Sequence, residues 1–268
     1  MPDTTRTNSK VNLSIVRVFD ILDLFTGEAA EIGISEIAVK TGINRSTVIR
    51  LVSTMVSQNY LVRCANSSKY RLGARLAALT KSYFSHLDIT QAVQPYLRKL
   101  SELTDELITL CAIRDDMGEY LSWIESTKYI RMVIEEQYMR FSLHAGAPGK
   151  MLLSCLPDEE ITEIIGRKGM PRFTANTITD FGDLMIEIKK IRAAGFAMSR
   201  SEHMDYGNTV SAAVRDFTGK AVASLNISWV GDGDSMGGAD EYCRLVRDAA
   251  GKLSADLGYF SHNNTHGR

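Results

Sequence analysis

The chain has 268 residues, 44% hydrophobic and 24% charged, with a formal net charge of −1. That length suits two domains, and near-neutrality excludes a polycation that coats nucleic acid through bulk charge. The polar start MPDTTRTNSK lacks a signal-peptide core and no apolar run reaches transmembrane length, so a cytoplasmic protein with no membrane partner is expected. After a tail at 1–10, the stripe Ile15, Val18, Phe19, Leu22 and Phe25 predicts a first helix. Residues 34–59, ISEIAVKTGINRSTVIRLVSTMVSQN, then read as two short helices joined by a tight turn. Ser35 is the expected N-cap of the first, which buries Ile34, Ile37 and Ala38 and stops at Gly42. Asn44 caps the second, where Val48, Leu51, Val52 and Met55 recur at i, i+3, i+4 and i+7.

The opposite face of that second helix offers Arg45, Ser46, Thr47 and Arg50, donors suited to phosphates and base edges in a major groove. Residues 60–64 and 69–72 alternate as two strands around the polar tip 65–68, the ribbon of a winged helix-turn-helix. Its Arg63, Lys69 and Arg71 are placed to meet a phosphate backbone. The first 75 residues hold ten Lys and Arg against six Asp and Glu, so the module, 11–73, is locally basic. The expected DNA-binding set is Ser35, Asn44, Arg45, Ser46, Thr47, Arg50, Lys69 and Arg71, and the expected partner is double-stranded operator DNA. Leu72, Leu76, Leu79, Tyr83 and Leu87 then mark a linker helix, 74–88, packing on its own module or, the favoured reading, on a partner copy in a homodimer.

Beyond it, Val93, Leu97, Leu100 and Leu103 predict another helix ending near Asp105, after which the period changes. Strands are expected at 107–113, 120–125 and 130–136, helices at 149–156, 158–166 and 182–194, strands at 196–200, 209–215 and 221–229, and a last helix at 238–258. Two groups of three strands flanked by helices predict an α+β, GAF-like domain, 89–260, whose mainly antiparallel curved sheet can enclose a small molecule, before a tail at 261–268. Neither G-x-G-x-x-G nor G-x-x-x-x-G-K-[ST] occurs, so no nucleotide cofactor is expected.

Cys64, Cys111, Cys155 and Cys243 are scattered without C-x-x-C pairing, which reads as reduced thiols and not as a disulfide frame or zinc site. His144 and His203 are candidate general bases, but a lone histidine in a turn is commonly a structural hydrogen-bonder. Asp205, two residues from His203, is too little for a metal site. No catalytic residue, metal or cofactor is therefore expected. The rival reading is an enzyme or redox sensor on the GAF-like domain, through Cys111 or Cys155, although neither has a histidine or basic cluster beside it in sequence.

The layout resembles the IclR-type (isocitrate lyase regulator) family of bacterial transcriptional regulators. The resemblance rests on RSTVIRLVSTMVSQNYL (45–61) with KYRLG (69–73), on SLHAGAPGKMLLSCLP (142–157), and on the stretch 188–228 containing RSEHMDYGNTVSAAV. It implies a DNA-binding dimer, often a dimer of dimers, whose C-terminal domain binds a small, frequently acidic metabolite. Carried over by position, the effector loop comprises Arg131, Ile134, Leu143, Gly146, Ala147, Pro148 and Gly149, and the far wall Arg200, Val210, Asn226 and Ser228. Gly146 and Gly149 flank a site where backbone N–H groups at the start of the 149–156 helix would suit a carboxylate. Met151, Pro148 and the polar run 208–211 depart from the family pattern and leave the effector's size and chemistry open.

Overall fold

The computed structural model describes residues 11–25, 31–84, 88–135, 139–231 and 238–259. The tails expected at 1–10 and 261–268, and the expected positions Leu87 and Glu136, lie outside them. The chain divides into two compact units, 1–87 and 88–268.

In the first unit α1 (Leu13–Asp23), α2 (Ile34–Thr41) and α3 (Arg45–Ser57) enclose a small core of Ile21, Phe25, Ile32, Ile37, Ile43, Val48, Val52, Met55 and Leu61. The packed face of α1 is Val18, Ile21 and Leu22, continued by Phe25 just past its end, at spacings i, i+3, i+4 and i+7. Ile15 and Phe19, expected in the core, stay exposed because that cleaner seam turns them outward. Ser35 is not the cap of α2: Gly33 takes that position without a side-chain bond, and Ser35 sits one residue into the first turn. At the other end Gly42 adopts φ +68, the left-handed geometry that lets the chain leave the helix sharply. The wing has three strands, not two, in the order β1–β3–β2: β2 (Leu61–Arg63) and β3 (Lys69–Leu72) form the expected ribbon, and β1 (Ile32–Gly33) adds to β3. A two-residue strand leaves too little alternation to be read from sequence. α4 (Ala74–Phe84) follows, with Leu79 and Tyr83 exposed.

The second unit opens with α5 (Ile89–Ala92) and α6 (Gln94–Thr104), which seats Val93, Leu97 and Leu100 in the core but leaves Leu103 exposed. Its sheet has six strands, all antiparallel, ordered β6–β5–β4–β9–β8–β7. These are β4 (Leu107–Arg114), β5 (Met117–Ile124), β6 (Arg140–Phe141), β7 (Ala197–Arg200), β8 (Gly207–Arg215) and β9 (Ala221–Val230). The strand expected at 130–136 is absent from its described part. After β5 the chain is drawn towards the end of α6, where Ser126 Oγ donates to the Asp105 carbonyl and Thr127 donates twice to the Asp105 carboxylate. That diverts the exposed Tyr129, Ile130 and Val133 from the sheet, and the edge is filled by β6 opposite Gly118 and Glu119.

The central strands are buried on both faces. Ile108, Leu110, Val210, Ala212, Val214, Leu225 and Ile227 occupy one, the side covered by α6 and α10 (Gly238–Asp256). The other carries Thr109, Cys111, Thr209, Ser211, Asn226 and Ser228 under α7 (Ala147–Ser154), which is backed by α8 (Asp158–Lys168) and α9 (Phe181–Ala194). An α+β domain with a curled antiparallel sheet therefore follows the helix-turn-helix module, and one covered face of that sheet is polar.

Candidate functional site

In the first unit the candidate surface is α3 and the wing. Asn44 Oδ1 accepts the Thr47 N–H at 2.8 Å and the Ser46 hydroxyl at 2.9 Å, which satisfies the start of α3. While Val48, Val52 and Met55 hold the helix to the core, Arg45, Ser46, Ile49 and Arg50 remain exposed and Thr47 is half-buried. The face thus pairs two guanidiniums with an exposed isoleucine that sequence reading passed over and that can meet a thymine methyl group. Ser35 is exposed on α2, and Lys69 and Arg71 are exposed on β3 on either side of half-buried Tyr70. On α2, Glu36 pairs with Lys40 at 2.9 Å, and that contact holds its carboxyl below the usual range. From residue 37 to residue 87 the sequence contains no Asp or Glu but eight cations, Lys40, Arg45, Arg50, Arg63, Lys69, Arg71, Arg75 and Lys81. A surface so one-sided suits a polyanion, although the whole chain is near-neutral.

In the second unit α7 is built into the polar side of the sheet. A Cβ on Gly149 would lie 2.3 Å from the Leu143 carbonyl oxygen, so only glycine lets the turn close this tightly. Lys150, fully buried, reaches Glu202 at 2.6 Å and Glu187 at 3.6 Å, and the second Glu202 oxygen accepts the Gly146 N–H at 3.2 Å. This pins the turn before α7 to the β7–β8 loop. Thr177 Oγ1 donates to the Glu202 carbonyl and Thr174 Oγ1 to that of Ser201, tying the same loop to residues 171–177. Phe173 lies between two imidazoles, its centroid 5.9 Å from that of His144 and 4.8 Å from that of His203. His144 is buried, with Nε2 2.9 Å from the Pro171 carbonyl and Nδ1 unpartnered, and burial holds its pKa below the ordinary histidine value.

These pieces roof a cavity of about 50 Å³. Its polar wall is one register row: Ser199 on β7 lies opposite Thr209 on β8, which lies opposite Ser228 on β9. Thr209 Oγ1 and Ser228 Oγ are 2.9 Å apart. Tyr120, Phe141, Met132, Met204, Pro148 and His203 complete the enclosure. The two methionines are pliant and can yield to a larger guest.

Of the effector positions expected from sequence, Gly146, Pro148 and Ser228 line this cavity. Leu143, Ala147 and Gly149 are buried in the seating of α7, and Val210 faces the other side of the sheet. Arg131 is exposed and bonded to the Lys128 carbonyl, Ile134 is half-buried away from the lining, and Arg200 points outward from β7. Asn226 lies one row deeper. Its amide nitrogen approaches Thr109 Oγ1 at 2.9 Å, the Thr109 carbonyl at 3.1 Å and Cys111 Sγ at 3.3 Å, while its oxygen accepts from Ser211 Oγ at 2.6 Å. Its bonds are internal to the sheet. Sequence reading missed Ser199, Thr209, Lys150 and Glu202. Small hydroxyls directly opposed on three neighbouring strands were the available signal, invisible until the register is known.

A larger groove of about 670 Å³ lies between α7, the end of β8 and α10. Of its cations, Arg192 donates to the Ser154 and Leu156 carbonyls and to Asp158, Arg215 to the Gly219 carbonyl and Lys252 to Asp248, while Arg247 lies over the Phe196 ring. Of the two cysteines of the redox reading, Cys155 has the Arg215 guanidinium beside it, Nη2 lying 3.8 Å from its Sγ. Cys111 is wholly buried, its thiol pushed up to about 12, and Cys155 borders this groove, whose lining contains no histidine. No group of three or more metal-ligating side chains occurs among the described residues.

Residues 14–64 match the model of the IclR helix-turn-helix domain, and residues 81–255 that of the bacterial transcriptional regulator IclR C-terminal region. The chain is 31% identical over 249 residues to the HTH-type transcriptional regulator KdgR of Dickeya chrysanthemi, spanning 93% of this chain and 81% of that protein. Its fold matches the crystal structure of an IclR-type regulator from Silicibacter sp. TM1040 with a TM-score of 0.84, at 20% identity over 92% and 96% of the two chains. An IclR homologue from Microbacterium hydrocarbonoxydans complexed with 4-hydroxybenzoate matches with a TM-score of 0.56, at 21% identity over 91% and 98%. The family is one of regulators and not of enzymes, which removes the enzyme reading. With its basic helix-turn-helix unit and its cavity-bearing α+β unit, the chain belongs to the IclR family of ligand-responsive, DNA-binding transcriptional regulators.

Proposed function

We propose that this regulator reads its operator with Arg45, Ser46, Thr47, Ile49 and Arg50 of α3, steadied on the phosphates by Ser35, Lys69 and Arg71. Its effector, on this reading, is a small carboxylate-bearing metabolite held in the cavity between α7 and the sheet. The observation that carries the effector reading is the row Ser199, Thr209 and Ser228, three hydroxyls converging beneath a roof of aromatic and methionine side chains. The 4-hydroxybenzoate held by the Microbacterium homologue supports an acid of modest size. The unit that reads DNA works as a homodimer, paired further into a dimer of dimers. Leu79 and Tyr83 on α4, and Ile15 and Phe19 on α1, are apolar, exposed and suited to a second copy. No helix of the described residues is long and apolar enough to cross a membrane, and on this reading the protein works in the cytoplasm, beside its operator DNA.

A thermal-shift screen of the full chain against keto, sugar and aromatic acids, with neutral controls, tests the effector class. An acid at about 100 times its Kd adds roughly 2.7 kcal/mol of stability, a shift of a few degrees. A response confined to neutral compounds would remove the carboxylate from this reading.

A further inference from the structure

The cavity wall offers hydroxyls and backbone, but a carboxylate also asks for positive charge. The cations that sequence points to do not line it: Arg131 is bonded to the Lys128 carbonyl, and Arg200 faces outward from β7. Lys150, beneath Gly146, already holds Glu202 at 2.6 Å and Glu187 at 3.6 Å. Among the lining residues the one side chain able to gain a proton and become cationic near neutral pH is His203. It stands at the mouth, open to solvent, with Phe173 against its ring, and shares the lining with Ser199, Thr209 and Ser228.

Resting on the acid-effector reading above, we propose that His203 is the residue that selects a carboxylate effector, by taking up one proton from solvent and pairing its imidazolium with the bound carboxylate. The proton comes from water or buffer, so no other group need change charge. Packing around the ring, and secondarily His144 beyond Phe173, hold the pKa of His203 below the ordinary histidine value, so the ligand-free form is neutral at pH 7. Other charged or titratable groups also face this region. Tyr120 on β5 is pushed up by burial and stays neutral, and Glu202 of the same loop is matched by Lys150 of α7. Glu187 of α9 shares Lys150, and Arg172 of the 171–177 segment donates to the Thr174 and Ala175 carbonyls. Asp205, on the loop itself, is exposed. A carboxylate arriving at the mouth is the charge able to raise His203 across neutrality.

The sign of the pH effect follows from linkage. The complex binds one more proton than the free protein at any pH between the two His203 values, so affinity for an acid falls as pH rises through that window, by up to about tenfold per unit. Below the free-protein value the slope vanishes.

Propionate, pyruvate, benzoate and 4-hydroxybenzoate, each with its primary amide, are titrated calorimetrically into the full-length protein at pH 5.5–8. Two buffers of different ionisation heat report the proton count. The expected result is net proton uptake on binding of the acid near pH 7.5, and weaker binding at pH 7.5 than at 6.5, by at most about tenfold. The amides should show neither effect. His203→Gln should abolish the uptake and the slope with Tm unchanged. An acid that binds without uptake, or equally to His203→Gln, overturns the role of His203 and leaves the carboxylate effector standing. Loss of uptake in His144→Gln but not in His203→Gln overturns it as well. Binding by none of the keto, sugar and aromatic acids of the thermal-shift screen, these four included, removes the acid-effector reading, and this proposal falls with it.

Discussion

Lys150 is fully buried in a half of the molecule that otherwise keeps its lysines wet. Burying an ammonium is costly, and it is tolerated here because Glu202 and Glu187 both reach it. Glu202 also accepts the Gly146 N–H, so one carboxylate joins the turn before α7 to the β7–β8 loop. Its removal leaves Lys150 with Glu187 alone, at the longer distance of 3.6 Å. Glu202→Ala should therefore lower unfolding stability by about 3–5 kcal/mol. The double variant Lys150→Met with Glu202→Leu should lose clearly less than the sum of the two single changes, because no charge is then stranded. Urea unfolding of the full chain and its variants measures this, and strict additivity would show that the pair is not coupled. Asn226 illustrates the same economy of polar groups. Its amide is engaged by Thr109, Cys111 and Ser211, so a substitution there would disturb the sheet before it informed on any ligand.

At the scale of elements, the two candidate surfaces are positioned by different devices. α3 is held by its buried stripe and started by Asn44, whose single side-chain oxygen fixes both Ser46 and Thr47. Asn44→Ala should cost about 1 kcal/mol of stability. It should also weaken operator binding, because Arg45 and Ser46 stand in the turn that the cap orders. Thermal unfolding and fluorescence anisotropy on operator DNA report the two effects, and an unchanged Tm would mean that water replaces the cap without loss. α7, by contrast, has no side-chain cap. It is seated from outside, by the contact of Gly149 with Leu143 and by the bond of Lys150 to Glu202. The sheet supplies the wall in register rows, so a one-residue slip of β8 would exchange Thr209 for Val210 and replace a hydroxyl with an apolar side chain.

For the molecule as a whole, regulation requires that the effector bind one state of the protein more tightly than another. Substitutions on the two surfaces should then separate. Arg50→Ala should weaken operator binding by about 1–3 kcal/mol while the thermal shift on adding an active acid is unchanged. Thr209→Val should erase that shift and leave operator affinity without ligand near that of the parent chain. If Arg50→Ala leaves operator affinity untouched, α3 is not the reading helix. If Thr209→Val keeps the full shift, the effector sits elsewhere, and the larger groove beside α10 becomes the next place to look.

The sequence by itself determined the helix-turn-helix, because α2, α3 and the β2–β3 ribbon are local structures. Their caps, periods and turn residues lie within a few positions of one another, so Gly42, Asn44 and the Val48–Val52–Met55 stripe could be read directly. The order of helices and strands in the second unit was legible for the same reason, apart from the short α5, the two-residue β6 and the strand expected at 130–136. There the β-prone run was overridden by bonds to Asp105, more than twenty residues earlier in the chain. Family motifs brought Gly146, Pro148 and Ser228 to attention, but not the rest of the cavity. Its wall joins Ser199, Thr209 and Ser228 across three strands, and its roof depends on Lys150 meeting Glu202 fifty-two positions away. Such groupings exist only once strand order and register bring distant residues together. Tertiary structure alone therefore decided which polar residues, legible one by one, face a ligand and which, like Asn226, bond only to the sheet.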